Sequence, residues 1–394
     1  MKKILYISAL ASETKVNEEH KRTGRNPGFA VQKFSRLLVK GMQANGADIL
    51  ALSNPPYDGK QRYVPSVNET EVGVTYKYVP YLNFSLLKYF CLFIYTFFYV
   101  LFWGFGNRRE KTIVCDVLAI SVCMGALFAS KFNGIQSVAV VTDLYSLMIN
   151  VDKRSFWVKM AGILNAWYIS SFNKFILLTE QMNEVVNPKG RPHMVMEALC
   201  DSSLVHENKE SVEKEHPRTV IYAGGINEIY GLKMLAEGFL KADVEDAKLV
   251  YYGQGPYVEE FKKLCEKHSN LEYRGVTSNE VVVADELKAT LLVNPRFTTE
   301  KLTRYSFPSK NMEYMASGTP LLTTNLPGMP NEYHNYVFLF REETVDGYAD
   351  AIRRVLTYSD WELQDFGRKA SQFVLQNKNN VQQGLRVLNF INDR

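Results

Sequence analysis

The chain has 394 residues and a formal net charge of +4, and 46% of its residues are hydrophobic, 22% charged and 13% aromatic. This composition is typical of a globular protein, and the length predicts two domains of ordinary size. The small positive excess is spread over many acidic and basic residues, so it excludes a strongly basic nucleic-acid-binding protein. The five cysteines include no C-x-x-C pair, which indicates free thiols in a reducing compartment and disfavours a zinc site.

The start of the chain predicts a doubly wound parallel sheet. The apolar run KKILYIS is typical of a buried strand and is too short for a signal-peptide core, so we expect a cytoplasmic protein. A polar loop is predicted from Ala9 to Pro27, followed by a helix from Gly28 to about Asn45 and by the strand ADILALS. The loop is basic and follows the carboxyl end of a strand, where such sheets bind ligands; solvated charges are the alternative.

The segment from Leu82 to Gly106 is the most hydrophobic part of the chain, and Lys88 is its only charged residue. Such a segment could span a bilayer, but apparent strands of the same sheet follow it, so we do not predict a membrane-crossing helix. Its aromatic residues suit a membrane interface, and Arg108, Arg109 and Lys111 could meet anionic headgroups. Peripheral contact with the inner face of an anionic cell membrane is one prediction, and a helix buried inside the domain is the alternative.

Asp143 follows the strand SVAVVT at the edge of the predicted first sheet. A carboxylate at this place could orient an acceptor hydroxyl, so we predict Asp143 to be catalytic; capping of the next helix is the alternative. The strand KFILLT and the helix EQMNEVVN bring the first domain, residues 1–199, to its end. Residues 200–217 are polar and charged, and they predict a linker.

The second domain is predicted from residue 218 to residue 375. Its first strand, TVIYAGG, ends in Gly224 and Gly225 just before a helix, an arrangement that could cradle a phosphate although the spacing fits neither the P-loop nor G-x-G-x-x-G. A glycine turn at Gly253 follows the strand KLVYY, and Arg296 ends the strand LLVNPR. The alternation of strands and helices repeats the doubly wound scheme.

The run RYSFPSKNMEYMASGTPLLTT, residues 304–324, predicts a short helix and then a buried strand. Ser306 is the expected N-cap, Pro308 fits the first turn, and Gly318 is placed to end the helix in a left-handed conformation. The helix should pack its methionine side on the sheet.

The other side of this helix carries Ser309, Lys310 and Glu313 close to the helix start, where free N–H groups favour an anion. The Glu313 carboxylate can accept hydrogen bonds from two ribose hydroxyls, and the Lys310 ammonium can meet a phosphate. These residues predict a nucleotide site, and a solvated surface ion pair is the alternative.

The run F-P-S-K-x-x-E-Y-x-A-S-G-x-P-L-L, residues 307–322, resembles the donor-site signature of retaining glycosyltransferases of the GT-B type, in particular family 4. The resemblance implies an α/β fold of two facing Rossmann-like domains. Residues 1–199 would bind the acceptor and residues 218–375 the nucleotide-sugar donor. Residues 376–394 would form a C-terminal helix that crosses back onto the first domain.

The resemblance also implies roles for single residues. Glu313 would hold the nucleotide ribose, Gly28 would lie near the donor and acceptor, Gly253 would belong to the turn facing the base, and Asn325 would lie in the loop beside the donor phosphate. Family members have a second glutamate eight positions before the first, where this sequence has Tyr305. We therefore predict Tyr305 as a second catalytic residue.

Family members also bind the donor pyrophosphate with Arg and Lys at the positions that Gly225 and Tyr230 occupy here. We expect Arg296 and Lys310 to replace those cations. The sequence contains no D-x-D pair that could hold a divalent cation with a nucleoside diphosphate, so we expect a site without metal and without a cofactor beyond the nucleotide sugar.

These features predict transfer of a sugar from a nucleotide diphosphate sugar to a lipid-linked or glycan acceptor of surface polysaccharide or glycolipid assembly. Two alternatives remain open. A sugar-nucleotide epimerase of the same fold would need acids and bases, for which Asp143, Glu300 and His334 are candidates. A non-catalytic partner subunit is the other alternative, because Tyr305, Gly225 and Tyr230 depart from the family pattern.

Overall fold

The computed structural model describes residues 2–24, 29–54, 61–144, 156–205 and 213–393. The chain divides into two compact units. The first consists of Met1–Leu199 together with Asn379–Arg394, and the second consists of Cys200–Lys378.

Helices and strands are numbered here in chain order. The α-helices are α1 Glu13–Thr23, α2 Phe29–Ala44, α3 Ser85–Trp103, α4 Ile120–Asn133, α5 Phe156–Ile169, α6 Glu180–Val186, α7 Leu232–Ala242, α8 Val258–Cys265, α9 Asn279–Lys288, α10 Ser309–Ser317, α11 Val345–Leu356, α12 Asp360–Asn377 and α13 Asn380–Asn392. The strands are β1 Lys3–Ser8, β2 Asp48–Ser53, β3 Tyr63–Val64, β4 Val67–Glu71, β5 Val74–Tyr78, β6 Tyr81–Leu82, β7 Lys111–Asp116, β8 Gln136–Val141, β9 Lys174–Leu177, β10 His193–Val195, β11 Arg218–Ala223, β12 Ala247–Tyr252, β13 Leu271–Gly275, β14 Leu291–Asn294, β15 Leu321–Thr323 and β16 Phe338–Leu339.

An eight-stranded sheet organises the first unit, in the order β10-β9-β8-β7-β1-β2-β5-β4. Its pairs are parallel except for the hairpin of β4 and β5, and β3 pairs separately with β6. The central strands are buried along almost their whole length, as expected for a parallel sheet covered by helices. The sequence analysis missed the hairpin and the short pair. The strands β3, β4 and β6 are short or only partly buried, whereas β5 has the alternating buried pattern of a strand and could have been found.

The C-terminal helix α13 belongs to the first unit. Its Val387 and Ile391 are buried in the same core as Leu38 of α2. The two helices approach closely at Gly41 and Gly384, since a Cβ atom on Gly384 would lie 2.3 Å from the carbonyl carbon of Gly41. A larger residue at either position would push the helices apart.

The predicted loop from Ala9 to Pro27 is wrong, because it contains the helix α1. The Ser12 hydroxyl caps this helix by accepting a hydrogen bond from the Lys15 amide, and Val16 is buried. Gly24 ends the helix with a φ of 65°. Side chains that were expected to be basic loop charges form ion pairs along the helix instead, such as Arg22 with Glu19.

The second unit has a six-stranded parallel sheet in the order β13-β12-β11-β14-β15-β16. Its core combines Tyr222 of β11 and Tyr251 of β12 with Phe239 of α7 and Ile352 of α11. The part of the predicted linker that follows residue 212 packs on this unit, since the Lys214 ammonium donates to the Leu287 carbonyl oxygen at 2.9 Å.

Candidate functional site

The carboxyl edge of the second sheet has a point where the chain leaves two neighbouring strands in opposite directions. From β11 the chain passes through α7 to β12 on one side, and from β14 it passes through α10 to β15 on the other. Open α/β sheets bind ligands at such a point, outside the ends of the two strands. Gly224 follows β11 there, and Arg296 follows β14 at a distance of two residues.

The loops after β11 and β12 lie side by side at this edge. The Gly224 amide donates to the Tyr252 carbonyl oxygen, and the Ile226 amide donates to the Gln254 carbonyl oxygen, both at 2.9 Å. Gly253 has a φ of 123°, and a Cβ atom on it would lie 1.8 Å from the Gly224 carbonyl oxygen. Only glycine fits at this position, so the loop that precedes α7 has a fixed path.

The helix α10 begins at Ser309, directly after Pro308. The predicted cap by Ser306 is wrong, because Pro308 occupies the N-cap position and no side chain caps the helix. Gly318 ends the helix as predicted, in the left-handed conformation with a φ of 82°. The first turn therefore presents backbone N–H groups without a side-chain cap, which favours an anion.

Lys310 extends from α10 to the end of β11. Its ammonium donates to the Ala223 carbonyl oxygen and lies 5.9 Å from the centre of the Tyr222 ring. Gly224 makes room for it, since a Cβ atom there would lie 2.7 Å from the Lys310 Nζ atom. Burial lowers the pKa of Lys310, while the negative charges of Glu313 and Glu286 act in the opposite direction. An ammonium that has one acceptor on the strand can direct its remaining hydrogens at an anion.

Arg296 lies with its guanidinium 4.7 Å from the centre of the Tyr230 ring, a distance suited to a cation–π contact. Its Nε atom is buried and has no hydrogen-bond partner. Buried donors are nearly always satisfied in proteins, so this guanidinium N–H is available to a water molecule or to a ligand group that accepts a hydrogen bond. Its positive charge also helps to lower the pKa of Lys310, so the two cations influence each other electrostatically.

Glu313 and Ser309 are exposed on the same short helix. Glu313 interacts electrostatically with both Lys310 and Glu286. Glu286 of α9 was missed in the sequence analysis, because a single glutamate in a helix has no distinguishing pattern. Burial raises its pKa to about 7, and the charge of Glu313 adds to this shift, whereas Lys310 opposes it.

Two further predicted site residues, Tyr305 and Asn325, lie within a few residues of α10 and β15 in the sequence. Asn325 is exposed two residues after β15, and its Oδ1 atom lies 2.9 Å from His334 Nε2. Tyr305 ends the 3-10 turn Lys301–Tyr305, four residues before α10, and its ring centre lies 5.8 Å from the Arg304 guanidinium. Tyr305 is half-buried, and a catalytic role for it stays a prediction.

The first unit carries carboxylates at the corresponding edge of its sheet. Asp143 follows β8, and burial raises its pKa. Asp116 ends β7 and was missed in the sequence analysis, because it lies inside an apolar strand. Burial, assisted by the charge of Asp143, raises the pKa of Asp116 to about 6. Gly28 and the segment after Asp143 that could form a capped helix lie outside the described residues.

Within the described ranges, the His, Cys, Asp and Glu residues form no cluster of three or more that could hold an ion.

Comparison with known proteins gives a family match for the second unit. Residues 217–358, which include the site of the second unit, match a family model described as "Glycosyl transferases group 1". No curated protein has a sequence that matches the chain significantly.

Solved structures match the chain over almost its whole length. They include sucrose-phosphate synthase from Thermosynechococcus elongatus, with a TM-score of 0.62, 13% identity and coverage of 99% of this chain and 98% of that one. The lipopolysaccharide outer core galactosyltransferase WaaB has a TM-score of 0.65 at 14% identity, with 99% of each chain covered. Anabaena HepE in complex with UDP has a TM-score of 0.63 at 12% identity, also with 99% of each covered. The chain thus has the predicted GT-B fold, with a Rossmann-like sheet in each unit.

Proposed function

We propose that this chain, which carries a group 1 glycosyltransferase domain, transfers a sugar from a nucleoside diphosphate sugar to a hydroxyl group of a glycan or lipid-linked acceptor. One observation carries the proposal. At the carboxyl edge of the second sheet, the unpaired guanidinium N–H of Arg296, the ammonium of Lys310 and the uncapped start of α10 occur together, with Glu313 one turn further along the helix.

The donor would bind through two kinds of contact. Glu313 would accept hydrogen bonds from both ribose hydroxyls, a role that its exposed carboxylate can fill. The diphosphate would lie against Arg296, Lys310 and the first turn of α10. The stacking of Arg296 on Tyr230 supports the idea that Arg296 replaces a cation that family members have in this loop, since the tyrosine ring holds the guanidinium beside it.

The same groups would assist the chemical step. In transfer, the bond from the anomeric carbon to the phosphate oxygen breaks, the acceptor oxygen bonds to that carbon, and the acceptor proton leaves. Negative charge builds on the departing diphosphate, and fixed cations and helix N–H groups stabilise it more in the transition state than in the bound donor. For a retaining, metal-independent enzyme, the leaving phosphate oxygen would itself take the acceptor proton.

The acceptor would be chosen by the first unit. Asp143 and Asp116 supply carboxylates at the edge of that unit's sheet, and Asp143 would orient the acceptor hydroxyl. WaaB, a lipopolysaccharide galactosyltransferase of the same fold, supports a glycan acceptor by analogy only.

The test is a panel of nucleoside diphosphates and their sugars, measured by thermal denaturation of the purified full chain. We expect the nucleotides of one base to raise the melting temperature of the chain by several degrees, since a ligand present at 100 times its Kd stabilises the folded protein by about 2.7 kcal/mol. The matching donor should then release its sugar to water or to a glycan acceptor. Failure of every nucleotide to stabilise the chain would rule out the proposal.

The alternatives give different results in the same experiment. Recovery of an epimerised donor in the absence of acceptor would indicate an epimerase. Tight binding without hydrolysis or transfer, with every acceptor tried, would indicate a non-catalytic partner subunit.

A further inference from the structure

The helix α3 of the first unit exposes most of its apolar surface. Only Leu92, Thr96 and Val100 of its 19 residues are buried, so the alternative of a fully buried helix is wrong. By length and composition alone, α3 could cross a membrane. Leu86 is 81% exposed, and Phe102 is 65% exposed. An apolar helix so little covered by its own protein indicates an interaction surface.

The buried side of α3 is fixed firmly to the neighbouring helix α4. A Cβ atom on Gly125 of α4 would lie 2.4 Å from the Phe93 carbonyl oxygen, so the two backbones are in close contact. The Asn133 amide nitrogen donates to the Leu101 carbonyl oxygen at 2.9 Å, and Lys111 donates to the Trp103 carbonyl oxygen at 2.7 Å. The helix therefore belongs to the folded unit, and its opposite side faces outward.

Neighbouring helices extend this apolar surface. Phe132 at the end of α4 is 74% exposed, and its ring centre lies 5.9 Å from that of Phe97 on α3. Trp167 of α5 lies 6.0 Å from Phe128 of α4, and Ile163 of α5 is also exposed. We name this surface the aromatic face; its exposed members are Leu86, Tyr89, Phe90, Phe98, Phe102, Phe105, Phe132, Ile163, Leu164 and Trp167.

Positive charges predominate around the aromatic face. The sequences of α3, α4 and α5 contain three lysines and no aspartate or glutamate. Beyond the end of α3, Arg108 and Arg109 are exposed, with Glu110 following them. Two copies of such a face would bring lysines together and would repel each other. An anionic surface that accepts apolar side chains is complementary to it.

A groove adjoins the aromatic face. It has a volume of about 590 Å³ between α3 and the strands β3 and β6, and it is lined mainly by apolar side chains that include Tyr63, Ile94, Tyr95 and Phe98. The apolar lining of the groove is therefore continuous with the aromatic face, and the groove could accept a hydrocarbon chain.

We propose that the aromatic face is a docking surface for the interface of an anionic lipid bilayer, with α3 lying parallel to the membrane plane. Tyr and Trp side chains favour the headgroup region, and apolar burial with adjoining positive charge provides the two signals that stable peripheral binding requires. This inference does not depend on sugar transfer, because it concerns the surface of the first unit alone.

The test is flotation of the full chain with vesicles of phosphatidylcholine, with and without phosphatidylglycerol. We expect binding that requires the anionic lipid and weakens as salt is raised. The triple variant Leu86→Ser, Phe90→Ser and Phe102→Ser should lose at least tenfold in partitioning. Its melting temperature should not fall, since these side chains are exposed.

Two further double variants separate the contribution of the aromatic face from that of exposed apolar residues elsewhere and from that of positive charge. The pair Trp361→Ser and Val276→Ser removes exposed apolar side chains of the second unit, and it should float like the wild type. The charge reversal Arg108→Glu with Arg109→Glu should reduce binding to anionic vesicles only. Three outcomes would overturn the proposal: no flotation with anionic vesicles at low salt, resistance to alkaline extraction as for a spanning helix, or a stable dimer that the triple variant dissociates.

Discussion

Both sheets of this protein are largely parallel, yet cations are described only at the carboxyl edge of the second, where Glu286 and Glu313 accompany them. The edge of the second sheet carries two cations, Arg296 and Lys310. The edge of the first carries two carboxylates, Asp116 and Asp143; burial raises the pKa of both, and the charge of Asp143 adds to the shift of Asp116. The same fold thus fixes where a ligand can bind, and the side chains at the strand ends decide which charge it must have. We therefore expect a diphosphate to bind at the second edge rather than at the first.

The largest effect should come from removing the carboxylate that is assigned to the ribose. We expect Glu313→Ala to weaken donor binding by about 2–4 kcal/mol, since two ribose hydroxyls lose a charged acceptor. Titration calorimetry with the donor identified in the panel measures this. Glu259→Ala, which removes an exposed carboxylate elsewhere in the second unit, should bind the donor normally. Equal affinities of the wild type and Glu313→Ala would remove the ribose site from α10.

The second prediction concerns the pH dependence of stability at the first edge. The pKa of Asp116 lies near 6 in the folded chain, above its ordinary value of 3.8, so folding favours the protonated form. The protonated Asp116 carboxyl group therefore contributes about 3 kcal/mol to the free energy of unfolding. This stabilisation is fully present below about pH 4 and is lost as the pH rises through 6. Asp116→Asn should therefore gain about 3 kcal/mol of unfolding free energy relative to the wild type between pH 4 and pH 8.

Chemical denaturation at a series of pH values measures that difference. Asp350→Asn, at an exposed position of α11, is the matched control and should follow the wild type at every pH. A constant difference between Asp116→Asn and the wild type across this range would show that the carboxyl group is not perturbed by burial.

The third prediction tests whether the cations at the second edge meet phosphate. Arg296→Ala should weaken binding of the nucleoside diphosphate by about 2 kcal/mol, the size of a charge-assisted hydrogen bond. It should leave binding of the bare nucleoside almost unchanged. Lys263→Ala, an exposed lysine of α8, controls for the loss of one positive charge. Equal losses for the nucleoside and the diphosphate would place Arg296 away from the phosphates.

The smallest effect on donor binding is expected from the first unit. Asp143→Asn should change donor affinity by less than about 0.5 kcal/mol, as expected for a substitution away from the binding groups. The same variant should slow transfer to the acceptor, because an amide cannot orient a hydroxyl by accepting its hydrogen as strongly. If Asp143→Asn reduced donor affinity by as much as it slows transfer, donor binding and acceptor orientation could not be assigned to separate edges.

Much of the second unit's site could be predicted from the sequence, because its signals are local. The pattern from Ser309 to Gly318 specifies a short helix with a left-handed end, and the glycines at 224 and 253 follow apolar strands. Ser306 was assigned as the cap wrongly, since the cap depends on the backbone at Pro308. The helix α1 was missed because its polar residues conceal a single buried valine, Val16.

Periodicity and turn residues act over a few positions, so they are sufficient to predict most of the alternating strands and helices, the two largely parallel sheets and the helix that carries Lys310 and Glu313. The folding of the chain brought together side chains that no local pattern connects. It stacked Arg296 on Tyr230, brought Glu286 within electrostatic reach of Lys310 and left the outer side of α3 uncovered. These outcomes depend on burial and on strand order, which join residues that are far apart in the chain.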